Sequence, residues 1–256
     1  MAKVFLSCLL CCFLTMGCSL SGIPTNVEAR REAIPPLKAT LDEIVLPGDI
    51  ILCHTDTTIL GGAISISKLI AEMTDSKVTH AAIITQRHSC DDFVIVEVSR
   101  LGIQEWFFPD WYMSGSHNII VMRLKPEYQH LVSSVLEKVN ELVERDVLYA
   151  PSFETDDSHM YCTSMVDSVF RELGYPLAPK VAIRDMPGYN FWYWAGCLIG
   201  GINPNTEIIA AGNEEIGLLS SPMLYPVFTL EGQQSKKRVG FRLSNRRIYE
   251  GRPAGR

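Results

Sequence analysis

Two strand-forming runs, VTHAAIIT (78–85) and FVIVEVS (93–99), constrain this chain most, because each holds one ionisable side chain, His80 or Glu97, inside an apolar stretch. A carboxylate in such a run is costly unless something pairs with it. With the polar segment 87–92 as the turn region of a hairpin, a register that pairs residues whose numbers sum to 177 sets His80 directly opposite Glu97. Side chains so opposed share a face, with Cβ atoms roughly 4.5 to 5.5 Å apart. Parity puts His80, Ala82 and Ile84 with Ile95, Glu97 and Ser99, and Ala81, Ile83, Val94, Val96 and Val98 on the other face. Both faces are largely apolar, so the hairpin is expected inside a larger, covered sheet.

Further along, YCTSMVDSVFRELG reads as an amphipathic helix. Val166, Val169, Phe170 and Leu173 trace its inward stripe, and one turn back from Val166 lies Cys162. Gly174 and Pro176 supply the stop, and Asp157 or Ser158 is the expected cap, which leaves Cys162 in or near the first turn. There the helix dipole favours a thiolate, and the backbone amide of Cys162 can help bind an oxyanion.

Each residue also has a plain structural explanation. A lone Cys on an apolar helix face is usually a small hydrophobe, and a lone His in a strand is usually a satisfied core residue. The triple says more than its members, because a nucleophilic thiol needs a base and the base needs an orienting group.

Four motifs in order, LPGDIILC (46–53), THAAIIT, VEVSRLGIQEW and YCTSMVDSVFRELGYPL, resemble the permuted papain-like hydrolases of the NlpC superfamily, in particular the YaeF/YiiX group, which is related to lecithin retinol acyltransferases. The resemblance spans Leu46 to Leu177. It implies an α+β fold with a small antiparallel sheet against the Cys helix, Cys162 as nucleophile, His80 as general base and Glu97 orienting His80. Cys162 and Tyr161 are the expected oxyanion and substrate contacts. It also implies an amide in a cell-wall peptide or N-acyl amino acid as the target. A lipid acyltransferase or thioesterase of the same fold is one alternative, and a non-catalytic cell-wall-binding lipoprotein is another.

The N-terminus adds a compartment. Lys3 precedes an uncharged, mostly apolar run, Val4 to Met16, too short to span a bilayer comfortably and of signal-peptide length. It ends in LTMGC, where Gly17 before Cys18 resembles a lipobox, so residues 1–18 are expected to direct export, with lipid on Cys18 anchoring the protein in the cell envelope. Ordinary secretion is the alternative. Residues 19–45, with three prolines and scattered charges, read as a tether before a domain at 46–256 with a C-terminal elaboration.

Eight cysteines are present, three of them in the leader. A bridge among Cys53, Cys90 and Cys197 stays open. A metal reading through Cys53, His54, His159 and Cys162 lacks a ligand ladder, so neither metal nor cofactor is expected. Residues Ile59 to Met73 read as a helix, and Glu127 to Glu144 as a second, core-facing one. The aromatic run YNFWYWAG (189–196), with Trp106 and Trp111, is read as packing or as the wall of a substrate groove. The segment 236–256 holds eight basic residues and one acid, about +7 on a chain of net charge −6. It reads as a solvated tail; nucleic acid is not an expected partner.

Overall fold

The computed structural model describes residues 27–231, apart from 56, 60–63 and 87–92, together with 242–243. Five consecutive strands, β1 (Ile50–His54), β2 (His80–Gln86), β3 (Phe93–Ser99), β4 (Gly102–Phe107) and β5 (His117–Leu124), are joined later by β6 (Leu224–Glu231) and β7 (Arg242–Leu243). They form one antiparallel sheet in the order β7-β6-β5-β1-β2-β3-β4. The His80 strand is therefore central, flanked by β1 and β3.

Strand alternation assigns the layers. Ile50, Leu52, Ala81, Ile83, Val94, Val96 and Val98 face one core, which is completed by Val135 and Val139 of helix α4 (Val132–Glu144) and by Met165, Val166, Val169 and Phe170 of helix α5 (Cys162–Glu172). Ile51, Cys53, Ala82, Ile84 and Ile95 face the other, which is covered by Leu37 and Leu41 of helix α1 (Val27–Ile44) and by Phe108, Trp111 and Tyr112 of helix α3 (Phe108–Met113). Both faces of the hairpin are thus buried, as its unbroken apolar composition requires. Helix α4 is preceded by a 3-10 turn, Pro126–Leu131, so the long helix expected from Glu127 has a tighter first section.

The LPGD turn is held by a charge pair. Arg123 of β5 donates from Nε to Asp49 Oδ1 at 2.8 Å and from Nη2 to Asp49 Oδ2 at 2.7 Å, while the Leu46 N–H donates to Oδ2 at 2.8 Å. Gly48 has φ +91°, and a Cβ there would meet Val132 Cγ1 at 2.9 Å. Only glycine fits that approach without strain.

Three expectations change. Residues 27–44 of the expected tether form helix α1, so the folded unit begins well before Leu46; residues 1–26, including the leader and Cys18, lie outside the described part. Pro35 and Pro36 sit inside this helix. An interior proline costs roughly 3 kcal/mol, but Leu37 and Leu41 are buried against α3 and the sheet, and burial contributes about 1.5–3 kcal/mol per side chain. The spacing of Ile34, Leu37, Leu41 and Ile44 was the signal, outvoted in the sequence reading by the prolines. Second, the helix expected over Ile59 to Met73 is shorter: helix α2 runs Ile66–Thr74, and Ser65 Oγ caps it by accepting from the Lys68 N–H. Third, the β2–β3 ladder pairs Ile83 with Val96 and Ile84 with Ile95, so paired numbers sum to 179, the register symmetric about segment 87–92, rather than to the expected 177. A two-residue slip preserves parity, so both side chains keep their face while Glu97 moves to the diagonal position from His80.

Candidate active site

His80 opens β2, at the end of the sheet where α5 begins. Its Nε2 donates to Glu97 Oε2 at 2.7 Å, a diagonal cross-strand contact made possible by the slipped register. Because a carboxylate only accepts, this bond places a ring proton on Nε2 and leaves Nδ1 for another partner. Cys162 is the other charged group within electrostatic reach of the ring, and the imidazole of His80 and the backbone amides of Ala81 and Thr163 all favour charge on its sulfur.

Helix α5 delivers the thiol. Tyr161 is the last extended residue before the helix, with φ −115° and ψ 169°, and Cys162 is the first helical one. Ser164 Oγ accepts from the Tyr161 N–H and donates to the Tyr161 carbonyl, both at 2.8 Å, which closes the start of the helix. Asp157 and Ser158 do not cap it, because the short strand His159–Met160 intervenes. Beneath the catalytic turn, Thr163 Oγ1 donates to the Ile209 carbonyl at 2.5 Å. Cys162 as a residue is neither fully buried nor fully exposed.

Charge at the site is mutual. Burial opposes a charge on each group, yet the imidazole and the two backbone donors hold the Cys162 thiol below its ordinary range. For the same reason His80 is raised well above the ordinary histidine range: burial resists the cation, and the charges and hydrogen bonds of Cys162 and Glu97 outweigh it. Glu97 is lowered despite its burial, by His80 and by indole donors. The arrangement favours a thiolate–imidazolium pair.

Cys53 shows what the same residue does without that help. It pairs with His80 across the β1–β2 ladder, yet it is fully buried and its thiol is pushed up to about 12 by burial. It is an inert neighbour of a polarised one.

Trp111 is the residue that sequence reasoning missed. Read there as packing or groove wall, it is fully buried, and its Nε1 donates to Glu97 Oε2 at 2.8 Å. Trp106 Nε1, buried with no partner in full hydrogen-bond geometry, also faces Glu97 and favours its charge. The available signal was complementary need: a buried indole N–H wants an acceptor, and a buried carboxylate wants donors. Trp111→Phe keeps an aromatic side chain, smaller than the indole, and removes a donor to a charged acceptor, worth about 1.5–3 kcal/mol. We expect kcat/KM to fall about 10- to 100-fold with the fold retained; circular dichroism and steady-state kinetics on the variant check both, and unchanged kinetics would remove Trp111 from the positioning of Glu97.

The Tyr161 hydroxyl accepts from the Ile209 N–H at 2.9 Å, and its ring is buried edge-on to Phe153, so the side chain anchors the loop beneath α5. Tyr149, unremarked in the sequence, is half-buried within electrostatic reach of both Cys162 and His80. His159 pairs with Asp156 at 3.2 Å, and among the described residues no group of three or more His, Cys, Asp or Glu could hold an ion. Cys53 and Cys197 are free thiols, so no bridge joins them; Cys90 lies outside the described residues.

Comparison with known proteins agrees with the fold. A family model described as permuted papain-like amidase enzyme, YaeF/YiiX, C92 family, matches residues 45–185, a span that contains His80, Glu97 and Cys162. The fold is similar to a solved structure described as metalloprotein yiiX from Escherichia coli O157:H7, with TM-score 0.57 and 19% identity over 72% of this chain and 96% of that one. No curated protein sequence matches.

Proposed function

The chain belongs to the permuted papain-like amidase family, and from that premise we propose that it is an exported cysteine hydrolase that cleaves an amide bond in a cell-wall peptide or an N-acyl amino acid. The observation that carries this reading is the polarised Cys162, His80 and Glu97 assembly at the end of the sheet. Cys162 is the nucleophile, His80 the general acid and base, and Glu97 the group that orients the imidazole.

The steps balance with these residues alone. The Cys162 thiolate attacks the amide carbonyl carbon and forms a C–S bond, and the oxygen takes the charge beside the first-turn amides of α5. As the C–N bond breaks, the imidazolium of His80 gives its proton to the departing nitrogen. Neutral His80 then takes a proton from water, the hydroxide attacks the thioester, and the C–S bond breaks to return the thiolate and release a carboxylic acid. The fold relative yiiX carries the description metalloprotein; the residues described here offer no matching ligand group, and no step is routed through a metal.

The test is covalent trapping. Full-length protein quenched in acid during turnover of an N-acyl amino acid or a cell-wall peptide should carry the acyl group on the peptide containing Cys162, in a bond that hydroxylamine cleaves. An adduct on another residue, or a Cys162 inert to both substrates and thiol-directed probes, would refute the reading. The envelope location rests on the apolar run Val4 to Met16 and on Cys18. Labelled palmitate should enter the protein in cells and vanish in Cys18→Ser; equal labelling of the variant would overturn lipidation there.

A further inference from the structure

Helix α6 (Phe191–Gly200, FWYWAGCLIG) contains no charged residue and leaves its largest apolar side chains in solvent. Phe191 is 65% exposed, Trp192 79%, Trp194 44% and Leu198 57%. They form one patch, since the Phe191 ring lies 5.6 Å from both Trp192 and Trp194. The opposite side of the helix is fixed to the protein: Cys197 packs with Tyr161, Met73, Met186 and Ile208, and Tyr193 Oη donates to Glu72 Oε2 at 3.1 Å. The exposed rings are therefore presented by an anchored helix.

Large aromatic side chains bury about 150–250 Å² each when covered, so these fractions amount to roughly 500 Å² of apolar surface. That is at the upper end of what a soluble monomer leaves in one patch. It falls short of the roughly 800 Å² per partner of a standard protein interface. An uncharged helix of 10 residues is too short to cross a bilayer, which takes about 20, but it suits the interface. Tryptophan there sets an apolar ring among acyl chains and an N–H among headgroups.

We propose that α6 is a membrane-interface seat through which the folded domain docks on a lipid surface. The seat shares its packing with Tyr161, the residue before Cys162. The inference is independent of the catalytic reading. It is also distinct from the N-terminal leader, since it concerns side chains of the folded domain.

The chain has four tryptophans. Trp111 is fully buried and Trp106 half-buried, which makes Trp192 and Trp194 the pair best placed to report contact with lipid. The experiment is emission of the full-length protein on phosphatidylcholine vesicles with and without bromine on the acyl chains. We expect a blue shift on vesicles and quenching by the brominated lipid, both unchanged by high salt because the helix is uncharged, and both lost in the Trp192→Phe, Trp194→Phe double variant. Absence of quenching while the protein co-sediments with vesicles would overturn the proposal. A concentration-dependent blue shift without lipid, accompanied by a doubled mass, would overturn it too, by assigning the patch to a second copy. Cys162→Ala should leave the quenching unaltered, which separates this test from that of the catalytic reading.

Discussion

Replacing Cys162 by alanine is expected to lower amide turnover by about 10⁴-fold or more, the scale on which loss of a nucleophile acts when its partners remain in place. The change removes one small side chain at the first helical position of α5. Ser164, which closes the helix start, and Thr163, which ties the turn to Ile209, are untouched. The thermal midpoint should therefore move by only a few degrees, as expected when ΔΔG stays within about 1 kcal/mol. Cys162→Ser should be nearly as inactive, because a neighbouring imidazole that depresses a thiol leaves a hydroxyl protonated. Residual activity within ten-fold of the parent, in a variant that melts like the parent, would move the nucleophile elsewhere.

The second large effect concerns pH. Cys162 is lowered and His80 raised by the same interaction, so the reactive ion pair exists over a window bounded by the two. On the acid side, activity rises as the thiol loses its proton, below the ordinary cysteine range. On the alkaline side it falls as His80 loses its proton, above the ordinary histidine range. Iodoacetamide should thus label Cys162 rapidly at neutral pH. His80→Ala removes the largest influence that lowers the thiol, leaving burial against a helix dipole and two backbone donors. Labelling at neutral pH should then slow by about ten-fold or more, the thiolate fraction lost when a thiol moves up by a unit or more, and its midpoint should shift upward. Stopped-time alkylation across pH, followed by mass spectrometry of the Cys162 peptide, reads both. Identical midpoints in parent and variant would mean that His80 does not activate the sulfur.

Cys53 supplies an internal control for that experiment. It lies opposite His80 in the sheet but is pushed up to about 12 by burial, so it should stay unlabelled at the pH values where Cys162 reacts.

Much of the site was legible because it rests on two short repeats. The alternation of a strand put His80 and Glu97 on one face whichever even slip the ladder took, and the 3.6-residue repeat from Val166 to Leu173 placed Cys162 at the head of its helix. The cost of a lone carboxylate among valines and isoleucines by itself implies a partner. Other features needed neighbours distant in the chain. The second donor to Glu97 comes from a helix after the next strand, and nothing in the local pattern around Trp111 distinguishes a hydrogen-bonding indole from a packing one.

The sequence by itself determined which side chains could meet: the strand parity, the first-turn position of Cys162 and the four motifs in order are local or serial properties that folding does not alter. Tertiary structure alone decided how they meet and what surrounds them. It spent the Tyr161 hydroxyl on a backbone amide, recruited the supposed tether as a packed helix and turned Phe191, Trp192 and Trp194 to solvent. The physical reason is that burial and hydrogen-bond satisfaction are sums over all neighbours in space, whereas propensity and periodicity are sums over neighbours in the chain.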